Sequence, residues 1–279
     1  AIRRSPADLV HIHMPNPGAA LAFLSSGHRG ELVLTHHADT MGRRFLRQLS
    51  DPFVTRLMKR AHRIIVTSSR YLASSAELTP FREKCSIIPL GIELPNLTEA
   101  NDPRVQQLRE ELGSRLIVAV GRLVSYKGFD VLIRAMKRVD ARLVLIGSGP
   151  QSAELEKLAV SEGVRNRVIM PGRVEDIGPY LTAASVFVLP SVTRAEAFGM
   201  VQLEAMAASL PVINTNIDSG VPEVCPDGKT GITVPPGNPE ALSKAIRLLL
   251  DDGELRHRLG EAARLRVKSE YTADLMGTR

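Results

Sequence analysis

Short runs rich in β-branched residues and leucine alternate with helical patterns along nearly the whole chain. Such alternation predicts repeated βα units, which build parallel sheets with helices on both faces. The predicted strands are residues 9–13, 32–35, 63–67, 85–88, 116–121, 142–146, 168–170, 186–189, 212–215 and 231–234. We therefore expect an α/β protein of two doubly wound, Rossmann-like domains that face each other across a cleft.

A segment without periodicity divides this pattern. Residues 91–103, GIELPNLTEANDP, are rich in proline, asparagine and acidic residues, which predicts a hinge. We assign residues 1–95 to a first domain, 96–270 to a second domain and 271–279 to the start of a C-terminal return segment. A domain of this type usually needs ~100–150 residues. The four predicted strands before the hinge therefore suggest a first domain that lacks its N-terminal part.

Composition narrows the class of protein. The chain has 279 residues, 44% of them hydrophobic, and no apolar run near the ~20 residues of a membrane span. The opening AIRRSPADLV lacks the apolar core of a secretory signal. Cys85 and Cys225 lie far apart, so they suggest neither a disulfide framework nor a metal-binding spacing. These features predict a protein of the reducing cytoplasm.

The net charge of +6 is unevenly distributed. One segment, residues 43–63, combines apolar positions with seven basic residues, Arg43, Arg44, Arg47, Arg56, Lys59, Arg60 and Arg63. A basic amphipathic helix of this kind suits an anionic membrane surface, and a solvated helix face is the alternative. Nucleic acid is excluded as a partner, because the chain has no tryptophan and its basic segments lack interleaved aromatic residues for base stacking.

Two glutamates, Glu196 and Glu204, flank a small-residue turn in the segment TRAEAFGMVQLEAMAASLPVINT. A helix that begins near Gly199 or Met200 directs its unpaired amides and the positive end of its dipole toward a phosphate. Glu196 precedes this helix and Glu204 lies in its second turn, so both can accept hydrogen bonds from sugar or ribose hydroxyls. A surface helix with solvated glutamates is the alternative that this segment leaves open.

A second candidate site follows the strand at 116–121, in the segment VAVGRLVSYKGFDVLIRAM. Turns from strand to helix lie at the carboxyl edge of a parallel sheet, where such folds bind ligands. After Gly121, the guanidinium fork of Arg122 and the compact charge of Lys127 together suit a pyrophosphate. Two solvated surface cations are the alternative interpretation.

Two further turns follow predicted strands. In GSGPQS, residues 147–152, two glycines match the start of a dinucleotide fingerprint, but Ser152 replaces the third glycine and Pro150 interrupts it. This segment predicts a tight strand-to-helix turn. The later segment MPGRVED presents the backbone of Arg173 and Val174, to which a base can bind.

Taken in order, these segments resemble glycosyltransferase family 4, whose members are retaining enzymes of the GT-B fold. The resemblance rests on Gly121-Arg122 with Lys127-Gly128, then GSGP, then GRV, then Glu196 through Glu204, and it covers nearly the whole chain. The segment RAEAFGMVQLEAMA, followed by NTNIDSGVPEV, most resembles the corresponding sequences of bacterial enzymes that build lipopolysaccharide, capsule or exopolysaccharide. The resemblance implies a hexosyltransferase and favours a mannosyl-type donor.

The resemblance also implies roles for the donor-side residues. Arg122 and Lys127 would hold the donor diphosphate, and Glu196 would bind hydroxyls of the transferred sugar. The remaining donor contacts would come from Gly121, the amides around Phe198, Gly199 and Met200, the ribose-binding Glu204, and the backbone of Arg173 and Val174 at the base.

In the first domain, the segment VLTHHADT matches a family segment whose histidine lies near the reacting centre. The match implies a catalytic role for His37 rather than His36. The choice between them matters because neighbouring positions of a strand face opposite ways. The segment HIHMPNP, residues 11–17, is expected on the acceptor side, although its chemistry fixes no role.

The implied reaction needs no cofactor and no metal. Transfer from a GDP- or UDP-linked sugar requires stabilisation of the negative leaving group while the sugar becomes oxocarbenium-like. The chain contains no Asp-x-Asp pair to hold a divalent cation on the diphosphate. We expect a glycan or polyprenyl-linked acceptor, and a cytoplasmic protein that associates with the inner face of the membrane.

Other functions remain open at this level. A nucleotide-sugar epimerase of the same fold would also bind a diphosphate, although the residues around Glu196 fit transferases better. A phosphorylase would need a pyridoxal-phosphate lysine, which no segment suggests. A donor-binding fragment without activity of its own is a third possibility, because a glycine-rich N-terminal loop has no counterpart before Ala7 and the last helix ends early, at Arg279.

Overall fold

The computed structural model describes residues 7–39, 44–94 and 98–279, and for residues 44–51 it describes the backbone alone. The strands are β1 (Leu9–Met14), β2 (Glu31–His36), β3 (Arg63–Val66), β4 (Cys85–Ile87), β5 (Leu116–Val120), β6 (Arg142–Ile146), β7 (Val168–Gly172), β8 (Val186–Val188), β9 (Val212–Thr215) and β10 (Gly231–Val234). Every predicted strand is therefore present, with bounds that shift by no more than two residues.

Helices connect most of these strands. They are α1 (Pro17–Ser26), α2 (Arg44–Arg60), α3 (Ser69–Ser74), α4 (Pro103–Leu112), α5 (Phe129–Ala135), α6 (Ser152–Ser161), α7 (Gly178–Ala183), α8 (Met200–Ala207), α9 (Val221–Val224), α10 (Pro239–Asp251), α11 (Gly253–Glu270) and α12 (Ala273–Gly277). Local signals set several starts: the side chains of Asn16, Asn238 and Asp252 accept backbone hydrogen bonds at the first turns of α1, α10 and α11.

The first sheet has four parallel strands in the order β1-β2-β3-β4. In β1, Ile12 and Met14 are buried, whereas His11 and His13, which alternate with them, are exposed. This alternation is typical of a strand whose two faces differ in exposure, because successive side chains point to opposite faces. The two histidines therefore lie on the same face of the sheet.

The second sheet has six parallel strands in the order β10-β9-β8-β5-β6-β7. In β5, Leu116 and Val118 pack into the core on one face, while Ile117 and Ala119 pack into the core on the other. Burial on both faces explains why this strand reads as a continuous apolar run. The chain order reverses between β5 and β8, and such a switch point opens a crevice at the carboxyl ends of the strands.

The chain forms two compact units, and each contains one of the two parallel sheets. This agrees with the predicted α/β class. The first unit extends to Pro89 and includes Asp218–Gly220, and the second comprises Leu90–Ile217 and Val221–Arg279. This division comes a few residues before the predicted boundary after residue 95. Residues 271–279, predicted as a return segment, belong to the second unit, in which Ile92 N donates to the carbonyl of Tyr271 at 2.9 Å.

Candidate functional site

A cavity of about 560 Å³ opens at the carboxyl ends of β5, β6 and β7 in the second unit. Four of the predicted donor-site residues line it, namely Gly121, Arg122, Arg173 and Val174. The turn Gly147–Pro150 completes the wall between them. Because β6 ends at Ile146 and α6 begins at Ser152, this segment is the tight strand-to-helix turn that the sequence predicts.

The loop after β5 carries Arg122 on the surface and Lys127 in the interior. Its path depends on Gly128, which has a φ of +67°. A Cβ atom at this position would lie 2.1 Å from the carbonyl oxygen of Pro190, so a larger residue would force the loop away from the end of β8. The glycine thus allows the close approach that brings Lys127 to the switch point.

Lys127 and Glu196 form a buried ion pair. The Nζ atom of Lys127 lies 2.5 Å from Oε2 of Glu196, and the two residues are 7% and 9% exposed. The hydroxyl of Ser191 donates a second hydrogen bond to the same oxygen at 3.0 Å. A buried charge is tolerated only when it is paired and hydrogen-bonded, and both conditions hold for this carboxylate.

The sequence predicts Lys127 and Glu196 in one donor site, but their direct contact is not predicted. Nor is the role of Ser191, which follows β8 and whose carbonyl accepts a hydrogen bond from Oγ1 of Thr215 at 2.5 Å. A serine in a run of buried apolar residues gives no local signal of this kind. The contact between Ser191 and Thr215 is apparent only once β8 and β9 are known to be neighbours in the sheet.

Tyr126 contributes a second feature of the ion pair's surroundings. Its ring centroid lies 6.0 Å from Nζ of Lys127, within the range of a cation–π contact. Burial raises the pKa of its phenol, the negative charge of Glu196 raises it further, and the charge of Arg122 lowers it. The hydroxyl therefore stays protonated near neutral pH and can donate a hydrogen bond.

Helix α8 begins at Met200, as predicted, and Gly199 precedes it with a φ of +73°. A Cβ atom on Gly199 would come within 2.7 Å of Cδ2 of Leu189, so this turn also requires glycine. The buried amide of Gln202 donates to the carbonyl of Phe198 at 2.8 Å and fixes the residue before the turn. The first amides of α8 are thus held in place at the carboxyl edge of the sheet.

Glu204 lies in the second turn of α8 and is half-buried. Burial raises the pKa of its carboxyl group. A hydroxyl pair that donated to this carboxylate would favour the charged form and offset the cost of burial. Neither Glu204 nor the Lys127–Glu196 pair lines the cavity at β5–β7.

The predicted residues of the first unit lie at the carboxyl edge of its sheet. His36 ends β2, is buried, and bonds through Nδ1 to the hydroxyl of Tyr71 at 3.0 Å. His37 follows it and bonds through Nε2 to Nδ1 of His13 at 2.8 Å. The two neighbouring histidines do face opposite ways, so His37 is the one on the partly exposed face.

Ligand atoms of His36, Asp39 and Glu77 lie within 4.8 Å of one another. Such a set has the donor atoms to hold a metal ion, for which the sequence shows no spacing signal. In the structure these groups bond to protein groups instead. Tyr71 donates to Oδ1 of Asp39 at 3.0 Å, Ser75 donates to it at 2.5 Å, and Oε2 of Glu77 lies 3.3 Å from Nε2 of His36. The set is a hydrogen-bonded network beneath the sheet edge.

The predicted basic segment corresponds largely to α2. Arg43 and the side chains of Arg44 and Arg47 lie outside the described residues. In the described part, one face of the helix buries Val54, Leu57 and Met58, whereas the side chains of Phe53, Arg56 and Lys59 are exposed. Among the described helices, none has the length and apolar character needed to cross a bilayer.

Models of two protein families match the chain. The model described as glycosyl transferases group 1 matches residues 101–266. The model described as glycosyltransferase family 4 matches residues 1–95. The first match covers the cavity, the Lys127–Glu196 ion pair and α8, and the second covers His36 and His37.

Two curated proteins are similar over most of the chain. The D-rhamnosyltransferase WbpZ of Pseudomonas aeruginosa is 34% identical over 269 residues, which cover 96% of this chain and 70% of the relative. The O-antigen chain mannosyltransferase C of Escherichia coli is 31% identical over 271 residues, which cover 96% of this chain and 72% of the relative.

Solved structures resemble the fold. Sucrose-phosphate synthase of Thermosynechococcus elongatus superimposes with a TM-score of 0.84 at 26% identity, covering 99% of this chain and 72% of the other. Anabaena Alr3699/HepE, solved with UDP and glucose, gives a TM-score of 0.85 at 21% identity, covering 97% and 76%. These likenesses confirm the predicted GT-B class of two Rossmann-like units.

Proposed function

We propose that this chain, which belongs to the group 1 glycosyl transferases, moves a hexose from a nucleoside-diphosphate sugar to a glycan or polyprenyl-linked acceptor with retention of configuration. Its family and relatives make it a glycosyltransferase that uses a nucleotide sugar. The observation that carries the finer proposal is the buried Lys127–Glu196 pair, which lies at the switch point of the second sheet.

The donor diphosphate would lie among Arg122, Lys127 and the first amides of α8. These groups are positive or partly positive, so they stabilise the charge that develops on the leaving group. Among the described residues, both side-chain contacts of Glu196 go to Oε2, which leaves Oε1 for a hydroxyl of the transferred sugar. Glu204 would accept the ribose hydroxyls, and the backbone of Arg173 and Val174 would meet the base.

The transfer step breaks the bond from the anomeric carbon to the diphosphate oxygen and forms a bond to the acceptor oxygen on the same face. The acceptor hydroxyl gives its proton to the departing diphosphate, so atoms and charge balance. His37 would lie near the transferred sugar and bind one of its hydroxyls. Glu196 is then a sugar-binding group and not a covalent nucleophile, and the step proceeds without a metal ion or a cofactor.

A mannosyl-type sugar on GDP or UDP is the donor we propose, and the names of the two curated relatives support this class. The family description and both relatives are transferases, which disfavours an epimerase. The donor is tested by thermal shift with GDP, UDP, GDP-mannose, UDP-glucose and UDP-N-acetylglucosamine. A ligand at about 100 times its Kd stabilises the fold by about 2.7 kcal/mol, so the true donor should raise Tm most. Equal shifts with all five compounds would contradict a specific donor site.

We also propose that the cytoplasmic protein contacts the inner face of the membrane through α2 and the preceding Arg43. The exposed Arg56 and Lys59 of α2 support a surface that presents positive charge, while the apolar face of the helix packs inside the protein. Binding to vesicles that contain anionic phospholipid should weaken as salt increases, and further when Arg43, Arg44 and Arg47 are changed to Ala. Binding that salt does not alter would exclude an electrostatic contact.

A further inference from the structure

Three imidazole rings line one face of the first sheet, on β1 and just after β2. The ring centroids of His11 and His13 are 4.7 Å apart, and those of His13 and His37 are 5.1 Å apart. The spacing of two along β1 puts His11 and His13 on one face. His37 joins them because its backbone N donates to the carbonyl of Met14 at 3.0 Å and extends the ladder between the two strands.

The contact between His13 and His37 is an edge-to-edge hydrogen bond. The planes of the two rings differ by 9°, while Nδ1 of His13 lies 2.8 Å from Nε2 of His37. This separation is shorter than the ~3.5 Å at which ring faces pack, so the nitrogens meet in the plane of the rings. Imidazole N–H bonds and lone pairs point in this plane, which makes the geometry favourable.

The bond constrains where the proton of His37 resides. Burial lowers the pKa of His37, and repulsion from positive charge on His13, His36 and His11 lowers it further, so the ring is neutral near pH 7. A neutral imidazole has one donor and one acceptor nitrogen, and the bond to His13 contains one proton. Whichever ring donates, Nε2 of His37 is engaged, so the tautomer of His37 is coupled to that of His13.

We infer that His13 is a positioning residue that selects the tautomer and ring orientation of His37 and leaves Nδ1 to bind a hydroxyl of the transferred sugar. This inference rests on the proposed function, which puts His37 near that sugar. Among the described residues, His37 Nδ1 has no other hydrogen-bond partner, so it is the nitrogen available to a ligand. A histidine whose second nitrogen is bonded presents its first nitrogen in a defined state.

His11 is the third ring of this face and packs against His13. Its Nε2 bonds to Oγ1 of the buried Thr35 at 2.7 Å, and its ring lies against that of His13 at an interplanar angle of 28°. Among the described residues, His11 makes no hydrogen bond to His37, because the ring of His13 lies between the two. His11 therefore provides a matched control, as a ring on the same face that makes no hydrogen bond to His37.

The experiment compares His13→Phe, His13→Asn and His11→Phe in the whole protein. Phenylalanine keeps a planar ring but cannot bond to His37, whereas the asparagine amide places a donor and an acceptor where Nδ1 stood. The ¹⁵N shifts of the His37 ring, recorded with labelled histidine, report its tautomer without any substrate. Steady-state kinetics with the donor then give kcat and KM for each variant.

We expect one dominant His37 tautomer in the wild type and in His11→Phe, and a mixture in His13→Phe. The same variant should lose about tenfold to a hundredfold in kcat, as misplacement of a catalytic group does, while the donor KM changes by less than about twofold. His13→Asn should restore both readouts in large part.

An unchanged tautomer in His13→Phe would overturn the inference, and so would a changed tautomer with an unchanged kcat. Equal loss of kcat in His11→Phe and His13→Phe would indicate packing of the histidine face instead of a bond to His37. A wild-type protein that transfers no sugar would contradict the proposed function, and the inferred role in transfer would fall with it. The ring shifts would still decide whether His13 fixes the tautomer, so the two failures are distinguishable.

Discussion

The two sheets end in chemically different edges. The carboxyl edge of the second sheet has a buried ion pair, Lys127–Glu196, together with glycine turns and the first amides of a helix. The carboxyl edge of the first sheet has imidazole rings and hydroxyls, such as His37 and Tyr71, joined by hydrogen bonds. The same parallel α/β architecture thus supports a buried lysine–glutamate pair at one edge and, at the other, imidazoles and hydroxyls bonded to one another and to the carboxylates of Asp39 and Glu77.

The difference suits the ligand that we propose for each edge, a diphosphate at the second sheet and a sugar hydroxyl at the first. A diphosphate is a permanent anion, and fixed cations with preorganised amides stabilise it without rearrangement. A hydroxyl is neutral and needs a donor or acceptor in the correct state, which bonded imidazoles supply. Burial favours the neutral form of the titratable group at both edges. It raises the pKa of the acid Glu204 and lowers the pKa of the base His37.

The largest effect should come from breaking the charged edge. We expect Lys127→Ala to lower turnover by at least about tenfold, because the cation that stabilises the leaving group is lost. Lys127→Arg should retain more activity because it keeps the charge. Turnover measured with saturating donor tests this, and Tm of each variant shows whether the fold survives the unpaired carboxylate of Glu196.

Lys137 offers a matched control for that measurement. Its Nζ lies 3.7 Å from Glu162, and its side chain is 65% exposed, so it is also a paired lysine of the second unit but at the surface. Lys137→Ala should leave turnover unchanged, because surface pairs contribute little. If Lys127→Ala folded and kept full turnover, the ion pair would be structural and the contrast between the two edges would lose its functional meaning.

The sequence predicts the architecture well, for a physical reason. Runs such as 116–120 and 143–146 are apolar on both faces because both faces of a central parallel strand are buried, so the position of these strands can be predicted from the sequence alone. The turns at Gly121 and Gly199 are likewise encoded locally. The family resemblance then links these turns into one donor site.

The sequence predicts the contacts within the sites less well. The Lys127–Glu196 pair depends on β5 and β8 being neighbours, and the His13–His37 bond depends on the register of β1 against β2. Only the spacing His-x-His in β1 hints at a shared face. Such partners are set by strand order, which no local pattern contains.

A smaller effect on donor binding should show whether the charged form of the Glu204 carboxyl group is the one that binds the donor. We expect Glu204→Gln to weaken donor binding by about tenfold, because a hydrogen bond from the ribose to a charged carboxylate contributes about 1.5–3 kcal/mol. For the wild type, donor affinity should fall as pH is lowered through the raised pKa of Glu204, since protonation removes the charged acceptor. Calorimetric titration of nucleoside diphosphate across a pH series measures both effects.

The same substitution should change stability in the opposite direction, which separates a binding role from a structural one. Because the folded-state pKa of Glu204 lies above its unfolded value, the folded protein binds this proton more tightly, and the stability it contributes is lost as pH rises through the folded pKa. Glu204→Gln removes that loss, so its Tm at neutral pH should equal or exceed that of the wild type. The control Glu156→Gln, at an exposed position of α6, should change neither the donor affinity nor the Tm. A Glu204→Gln variant with lower Tm and unchanged affinity would make Glu204 a structural carboxylate and confine the charged edge to Lys127 and Glu196.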